Sequence, residues 1–129
     1  MKVYIAGPMT GLPNWNRAAF ALAARRLRGA GWSVISPAEL PCGDLGDAPE
    51  PYYARDLLLM LRQGVEAIAL LPGWHESLGA LTELTVAMTL GLKVLNARSL
   101  KEIPLPALCN APGLLVGKLA ARIAARRAL

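Results

Sequence analysis

Among the short runs of this chain that are apolar at every position, two stand next to Gly or Pro turns and read as strands: Val3-Tyr4-Ile5-Ala6 near the start, and Ala67-Ile68-Ala69-Leu70-Leu71 past the middle. A strand with one wet face alternates apolar and polar side chains. A run without alternation predicts a strand covered on both faces, the situation of a parallel sheet between layers of helix. That requirement limits the fold more than any other feature of the sequence.

The segments around these runs supply the cover. Phe20, Ala23, Ala24 and Leu27 recur at helical spacing, with Arg25, Arg26 and Arg28 on or near the opposite face. Asn14 or Asn16 can cap that helix, and Gly29 and Gly31 end it. A second strand is expected over 32–36, with Trp32 in the core and Pro37 as its stop. Residues 38–51, rich in proline, glycine and acids, form a loop long enough to serve as a lid or binding loop. A second helix follows over 52–63, then the apolar strand 67–71. A third helix starts between 77 and 80 and runs to Leu90, with Gly91 after it. The fourth strand is 93–96, followed by a proline-rich connection over 103–112 and an amphipathic helix over 113–129.

This β-α-β-α-β-α-β order, with a final helix, predicts a single α/β domain: a parallel sheet with helices on both faces. Ligands of such sheets sit at the carboxyl ends of the strands. The turn after Ile5, the loop after Ser36 and the loop after Leu71 therefore face the ligand.

Composition removes other classes. The 129 residues are 54% hydrophobic and 18% charged, the reverse of a disordered chain. No apolar stretch approaches the roughly 18 residues that span a bilayer, and no leader is visible, so no membrane role and a cytoplasmic location are expected. Cys42 and Cys109 lack CxxC spacing and His75 is the single histidine, which argues against a Cys/His metal site. The net charge of +5 is concentrated in Arg25, Arg26 and Arg28 and in Lys118, Arg122, Arg126 and Arg127. No nucleic-acid motif accompanies it and aromatics are sparse at 5%, so these are read as solvated helix faces rather than a nucleic-acid surface. On the last helix, Lys118, Arg122 and Arg126 form a charged stripe and Leu115, Leu119 and Ile123 an apolar one. That helix is expected to pack on the sheet or on a second subunit.

Four features carry chemistry. Glu83 shares a helix face with Val86, Ala87 and Leu90, and a carboxylate on an inner stripe is costly unless paired or used; the plainer reading is a solvent-facing glutamate. Asp56, in Tyr52-Tyr53-Ala54-Arg55-Asp56, follows the long loop; its plainer role is an acidic first-turn residue that favours the helix dipole. Ser77-Leu78-Gly79-Ala80 opens a helix, where free amides and a hydroxyl can hold an anion or Ser77 can act as a simple cap. The turn Gly7-Pro8-Met9-Thr10-Gly11 lets backbone approach a ligand closely. It is not a GxGxxG fingerprint, and the P-loop-like run at 113–118 lacks the hydroxyl residue and the preceding strand. Trp15 and Trp74 can stack on a base, Trp74 from a ligand-facing loop; His75 beside it is read as an ordinary loop residue.

Together Tyr4-Ile5-Ala6-Gly7-Pro8-Met9-Thr10-Gly11, Asn14-Trp15 and Asn16 before a helix, Pro37-Ala38-Glu39, Arg55-Asp56-Leu57, and Leu71-Pro72-Gly73-Trp74 with Ser77, Gly79, Ala80 and Glu83 resemble the DUF4406 family of bacteria and their phages. Through it the chain resembles the nucleoside 2-deoxyribosyltransferase-like superfamily over roughly residues 2–96. The resemblance implies a flavodoxin-like or Rossmann-like three-layer sandwich with four to five parallel strands. It implies cleavage of the N-glycosidic bond of a (deoxy)nucleoside or its 5′-monophosphate, by hydrolysis or deoxyribosyl transfer, with no metal and no cofactor. It makes Glu83 the nucleophile, Asp56 its helper and Tyr4 the group that orients the glutamate. Substrate contacts fall to Gly7, Pro8, Met9, Thr10, Gly11, Trp74, Ser77, Gly79 and Ala80, and a homo-oligomer is implied. Ser77 stands where the deoxyribosyltransferases carry an aspartate. In that respect the chain resembles the nucleoside 5′-monophosphate N-glycosidases, whose serine holds the phosphate. It departs from them at Thr10, where they carry an arginine, and at the second phosphate-binding serine, which has no match here. The competing reading is a non-catalytic nucleotide-binding or sensor module using the same pocket.

Overall fold

The computed structural model describes residues 1–41, 45–110 and 114–128, leaving aside the side chains of 114–116, 119, 122 and 126. Cys42 and the stripes drawn through Leu115, Leu119, Arg122 and Arg126 lie outside the described residues. Four strands, β1 (Lys2–Ala6), β2 (Ser33–Ile35), β3 (Ala67–Leu70) and β4 (Lys93–Asn96), form one parallel sheet in the order β2-β1-β3-β4. Among the described residues five α-helices accompany it: α1 (Arg17–Gly29), α2 (Glu50–Arg62), α3 (Leu78–Thr89), the single turn α4 (Leu105–Leu108) and α5 (Leu114–Arg127). This is the α/β three-layer sandwich that the unbroken apolar strands require. Among the described residues no helix is long and apolar enough to cross a membrane.

The pleat divides the central strands between two cores. Val3, Ile5, Ala67 and Ala69 meet Phe20, Ala23, Ala24 and Leu27 of α1 on one face. Tyr4, Ala6, Ile68 and Leu70 meet Met60 of α2 and Ala80, Leu84, Ala87 and Met88 of α3 on the other. Chain order reverses direction between β1 and β3, because β1 runs outward to β2 while β3 runs outward to β4. A crevice opens at the carboxyl ends of two strands that diverge in this way. Leu108 of α4 and Ala120 of α5 complete the second core. There α5 lies so close to α4 that a Cβ on Gly117 would stand 2.7 Å from the Cys109 carbonyl oxygen, which accounts for that glycine.

Several boundaries differ from the sequence expectation. Neither Asn14 nor Asn16 caps α1 with its side chain. A 3-10 turn spans Pro13–Asn16, and Asn14, Trp15 and Asn16 all adopt left-handed backbone angles, φ 50°, 56° and 59°. Asparagine tolerates that region; tryptophan does so at a cost. Asn16 donates its Nδ2 to the Pro8 carbonyl at 2.9 Å, so the residue fastens the turn after β1 instead of the helix. Trp32 precedes β2 and is only partly buried. The long loop contains a 3-10 turn at Pro37–Glu39, and α2 begins at Glu50, earlier than the apolar pattern indicates. The proline-rich connection holds α4.

Gly7 sits where β1 and β3 end side by side. A Cβ there would lie 2.7 Å from the Leu71 Cβ, close to the chain rather than at a flexible tip. Gly7→Ala is therefore expected to destabilise the protein by about 1–3 kcal/mol, the usual range for overpacking, read as a lower urea midpoint with an unchanged slope.

Candidate active site

Tyr4 lies in the middle of the buried strand β1 and points toward α3. Its hydroxyl donates to Oε2 of Glu83. Glu83 is 8% exposed, on the stripe of α3 that also carries Ala80, Leu84 and Ala87. The solvent-facing alternative is thereby overturned. Leu90, in contrast, is exposed and not part of that face. Thr82, Thr85 and Thr89 bond the carbonyls one turn back in α3.

Asp56 lies in the second turn of α2, because the helix starts at Glu50, and it is 9% exposed. A first-turn dipole role is thereby excluded; the carboxylate faces inward. Arg55 pairs with it, Nε to Oδ1 at 3.1 Å. The same guanidinium donates to the Pro41 carbonyl at 2.7 Å and lies 5.2 Å from the centroid of the Tyr52 ring.

These groups perturb one another. Burial pushes the Glu83 carboxyl from its ordinary 4.5 to about 8, the Tyr4 hydrogen bond opposes that rise, and the charge of Asp56 adds to it. Burial also raises Asp56, while Arg55 pulls it back down. Burial, and then the charges of Glu83 and Asp56, hold the Tyr4 phenol well above its usual range, so it stays a donor. Two carboxyls that feel each other's charge lose their protons in two steps that belong to the pair. Buried carboxyls with raised pKa values mark candidate sites, although structural ion pairs shift pKa values too.

A cavity of about 330 Å³ opens beside Asp56. The turn after β1 supplies Met9, Thr10 and the half-exposed Trp15; the long loop supplies Asp47; α2 supplies Tyr53, Arg55 and Asp56. Of the residues singled out in the sequence, Met9, Thr10, Trp15 and Asp56 line this space, while Glu83 and Tyr4 are buried in the core and do not line it. Gly7, Pro8 and Gly11 shape the turn without lining the cavity. Trp74 packs against the α3-side core and meets His75 edge to face, away from the cavity. Ser77 caps α3, its Oγ accepting from the Ala80 amide at 3.2 Å, and neither residue lines the cavity; nor does Gly79. Asp47, Tyr52, Tyr53 and Arg55 carried no assigned role in the sequence reading. The aromatic doublet and the adjacent Arg-Asp at the exit of a long loop were the available signal.

The profile of DUF4406, a domain of unknown function, matches residues 1–96. The chain belongs to the DUF4406 family. No curated protein matches it. The DUF4406 match ends with β4, so it contains all four strands and every residue of the Tyr4–Glu83–Asp56 cluster. Helices α4 and α5 lie beyond it and close the core behind α3. The Arg28–Glu39 ion pair, 2.7 Å and half-exposed, ties α1 to the Pro37-Ala38-Glu39 turn and adds little stability.

Proposed function

We propose that this DUF4406 protein cleaves the N-glycosidic bond of a nucleoside or nucleoside 5′-monophosphate, with Glu83 as nucleophile. The observation that carries the reading is the buried Glu83 carboxyl, held by the Tyr4 hydroxyl and raised by the charge of Asp56, which itself lines a cavity. The likeness of the motifs to the nucleoside 2-deoxyribosyltransferase-like superfamily supports it.

The chemistry runs in two displacements. A Glu83 oxygen attacks C1′ from the side opposite the base. The C1′–O bond forms as the C1′–N bond breaks, and the bonding pair leaves with the base nitrogen. Asp56, protonated, delivers its proton to that base. Asp56 then takes a proton from water, the hydroxide attacks C1′, and the ester opens to return the Glu83 carboxylate. A second base in place of water gives transfer. The productive form has one proton on the pair, on Asp56. Losing it removes the acid, so kcat/KM is expected to fall above the upper titration of the pair, near pH 8.

Tyr4 stabilises the charged form of Glu83. Tyr4→Phe therefore shifts protons from Asp56 to Glu83 and depletes the productive form. Its expected signature is an alkaline limb moved to higher pH together with a kcat/KM about tenfold lower, measured as base release across pH 5–10.

The reading is tested by incubating the protein with deoxyribo- and ribonucleosides and their 5′-monophosphates and separating free base by chromatography. Base release supports it. Binding with no release from any of them replaces it with a nucleotide-binding module. A homo-oligomer belongs to the same reading: Leu58 and Leu61 lie exposed on the outer side of α2, and sedimentation measures the state.

A further inference from the structure

Resting on the glycosidic reading, we infer that Arg55 is the positioning residue for Asp56: a guanidinium anchored by the long loop and by Tyr52 that grips one carboxylate oxygen and leaves the other to accept a proton.

Neighbouring residues of a helix point about 100° apart and do not ordinarily face each other. Arg55 and Asp56 meet all the same, Nε to Oδ1 at 3.1 Å, while no described residue bonds Oδ2. Outside anchors draw the guanidinium back along α2. The Pro41 carbonyl accepts from one Nη at 2.7 Å, and the Tyr52 ring centroid lies 5.2 Å away. Tyr52 is itself fixed: its hydroxyl donates to the Gly46 carbonyl at 2.7 Å and accepts from the Leu45 amide at 3.2 Å. A planar fork meets these demands at once; an ammonium on a flexible stem is a single point.

The charge of Arg55 stands alone. The other ionisable groups around Asp56, among the described residues, are all acids: Glu83 from α3, Tyr4 from β1, Asp47 from the long loop, and the Tyr52 and Tyr53 phenols on α2 itself. Burial resists the charged form of Asp56 as well, and Arg55 favours it. The two displacements ask opposite things of this carboxyl. In the first it gives its proton to the departing base. In the second, with Glu83 esterified, it has to stand ionised. It then takes a proton from water, the hydroxide attacks C1′, and the C1′–O bonding pair returns to Glu83. Burial serves the first step and the guanidinium serves the second. Without Arg55 the first step survives, and the second fails as pH falls.

The test compares the full chain with Arg55→Met, which removes the charge, and Arg55→Lys, which keeps a charge and loses the fork. Asp56 is titrated by carbon-13 NMR of its carboxyl, assigned by its absence in Asp56→Asn. Base release from deoxynucleosides and their 5′-monophosphates is followed from pH 5 to 10. The Asp56 midpoint is expected to move to higher pH in Arg55→Met, and by a smaller step in Arg55→Lys should the first variant not fold. In Arg55→Met the acid limb of kcat moves the same way. There kcat at pH 6 falls at least about tenfold, kcat/KM falls far less, and a burst of base precedes the slow steady state. A midpoint that stays in place overturns the inference. So does a loss of kcat and kcat/KM in step at every pH, the mark of a residue that only supports the fold. A moved midpoint with no base release from wild type or variant overturns the glycosidase and leaves the role of Arg55 standing.

Discussion

Glu83→Gln lowers base release by at least about a thousandfold, because the nucleophile and its charge on an oxocarbenium-like transition state are lost together. The amide keeps the shape of the side chain and still accepts from the Tyr4 hydroxyl, so the fold and nucleoside affinity are expected to survive. That split distinguishes a nucleophile from a residue that merely binds ribose: a binding glutamate would weaken affinity and turnover in step. The measurement is kcat against Kd for the same nucleoside, wild type beside variant. Asp56→Asn should be milder for substrates with good leaving bases, which need less protonation.

The same substitution changes the pH dependence of stability. In the folded protein Glu83 keeps its proton up to about 8, whereas in the unfolded chain it releases it near 4.5. The folded state thus binds more protons across that window, and stability falls as pH rises through it. At about 1.4 kcal/mol for each pH unit, the loss is on the order of 5 kcal/mol, a large share of what holds a domain of this size together. Asp56, raised by its own burial, acts in the same direction. Glu83→Gln removes the larger part. Urea unfolding at pH 5 and at pH 9 is expected to show a steep drop for the wild type and a shallow one for the variant, with the variant the more stable at pH 9. Equal drops contradict the buried, proton-holding glutamate.

The architecture was legible because it rests on burial. Strands covered on both faces have no polar positions, so β1 and β3 were written in their composition, and α1 in the spacing of Phe20, Ala23, Ala24 and Leu27. Glu83 was legible for the converse reason, as a charge on an apolar stripe. What escaped the sequence were features set by long-range geometry. Three successive left-handed residues at Asn14, Trp15 and Asn16 are disfavoured locally, and the Asn16 bond to Pro8 that goes with them joins separate parts of a turn. Glu50 begins α2 although the apolar period becomes visible only later. Ser77 caps α3, one of the two roles its place at the helix head allowed, and the packing of Tyr53 against Gly79 could not be foreseen from spacing. Arg55 stood in the sequence as a neighbour of Asp56; only the fold brings it to the carboxylate, a loop carbonyl and an aromatic face at once.

The most direct test is to trap the intermediate. The protein is mixed with a 2-fluoro-arabino nucleoside, whose fluorine slows the second displacement more than the first, then digested and mapped by mass spectrometry. The account predicts one glycosyl adduct, on the peptide that carries Glu83, and none on Glu83→Gln. An adduct on another residue, or base release at full rate by Glu83→Gln, would contradict it.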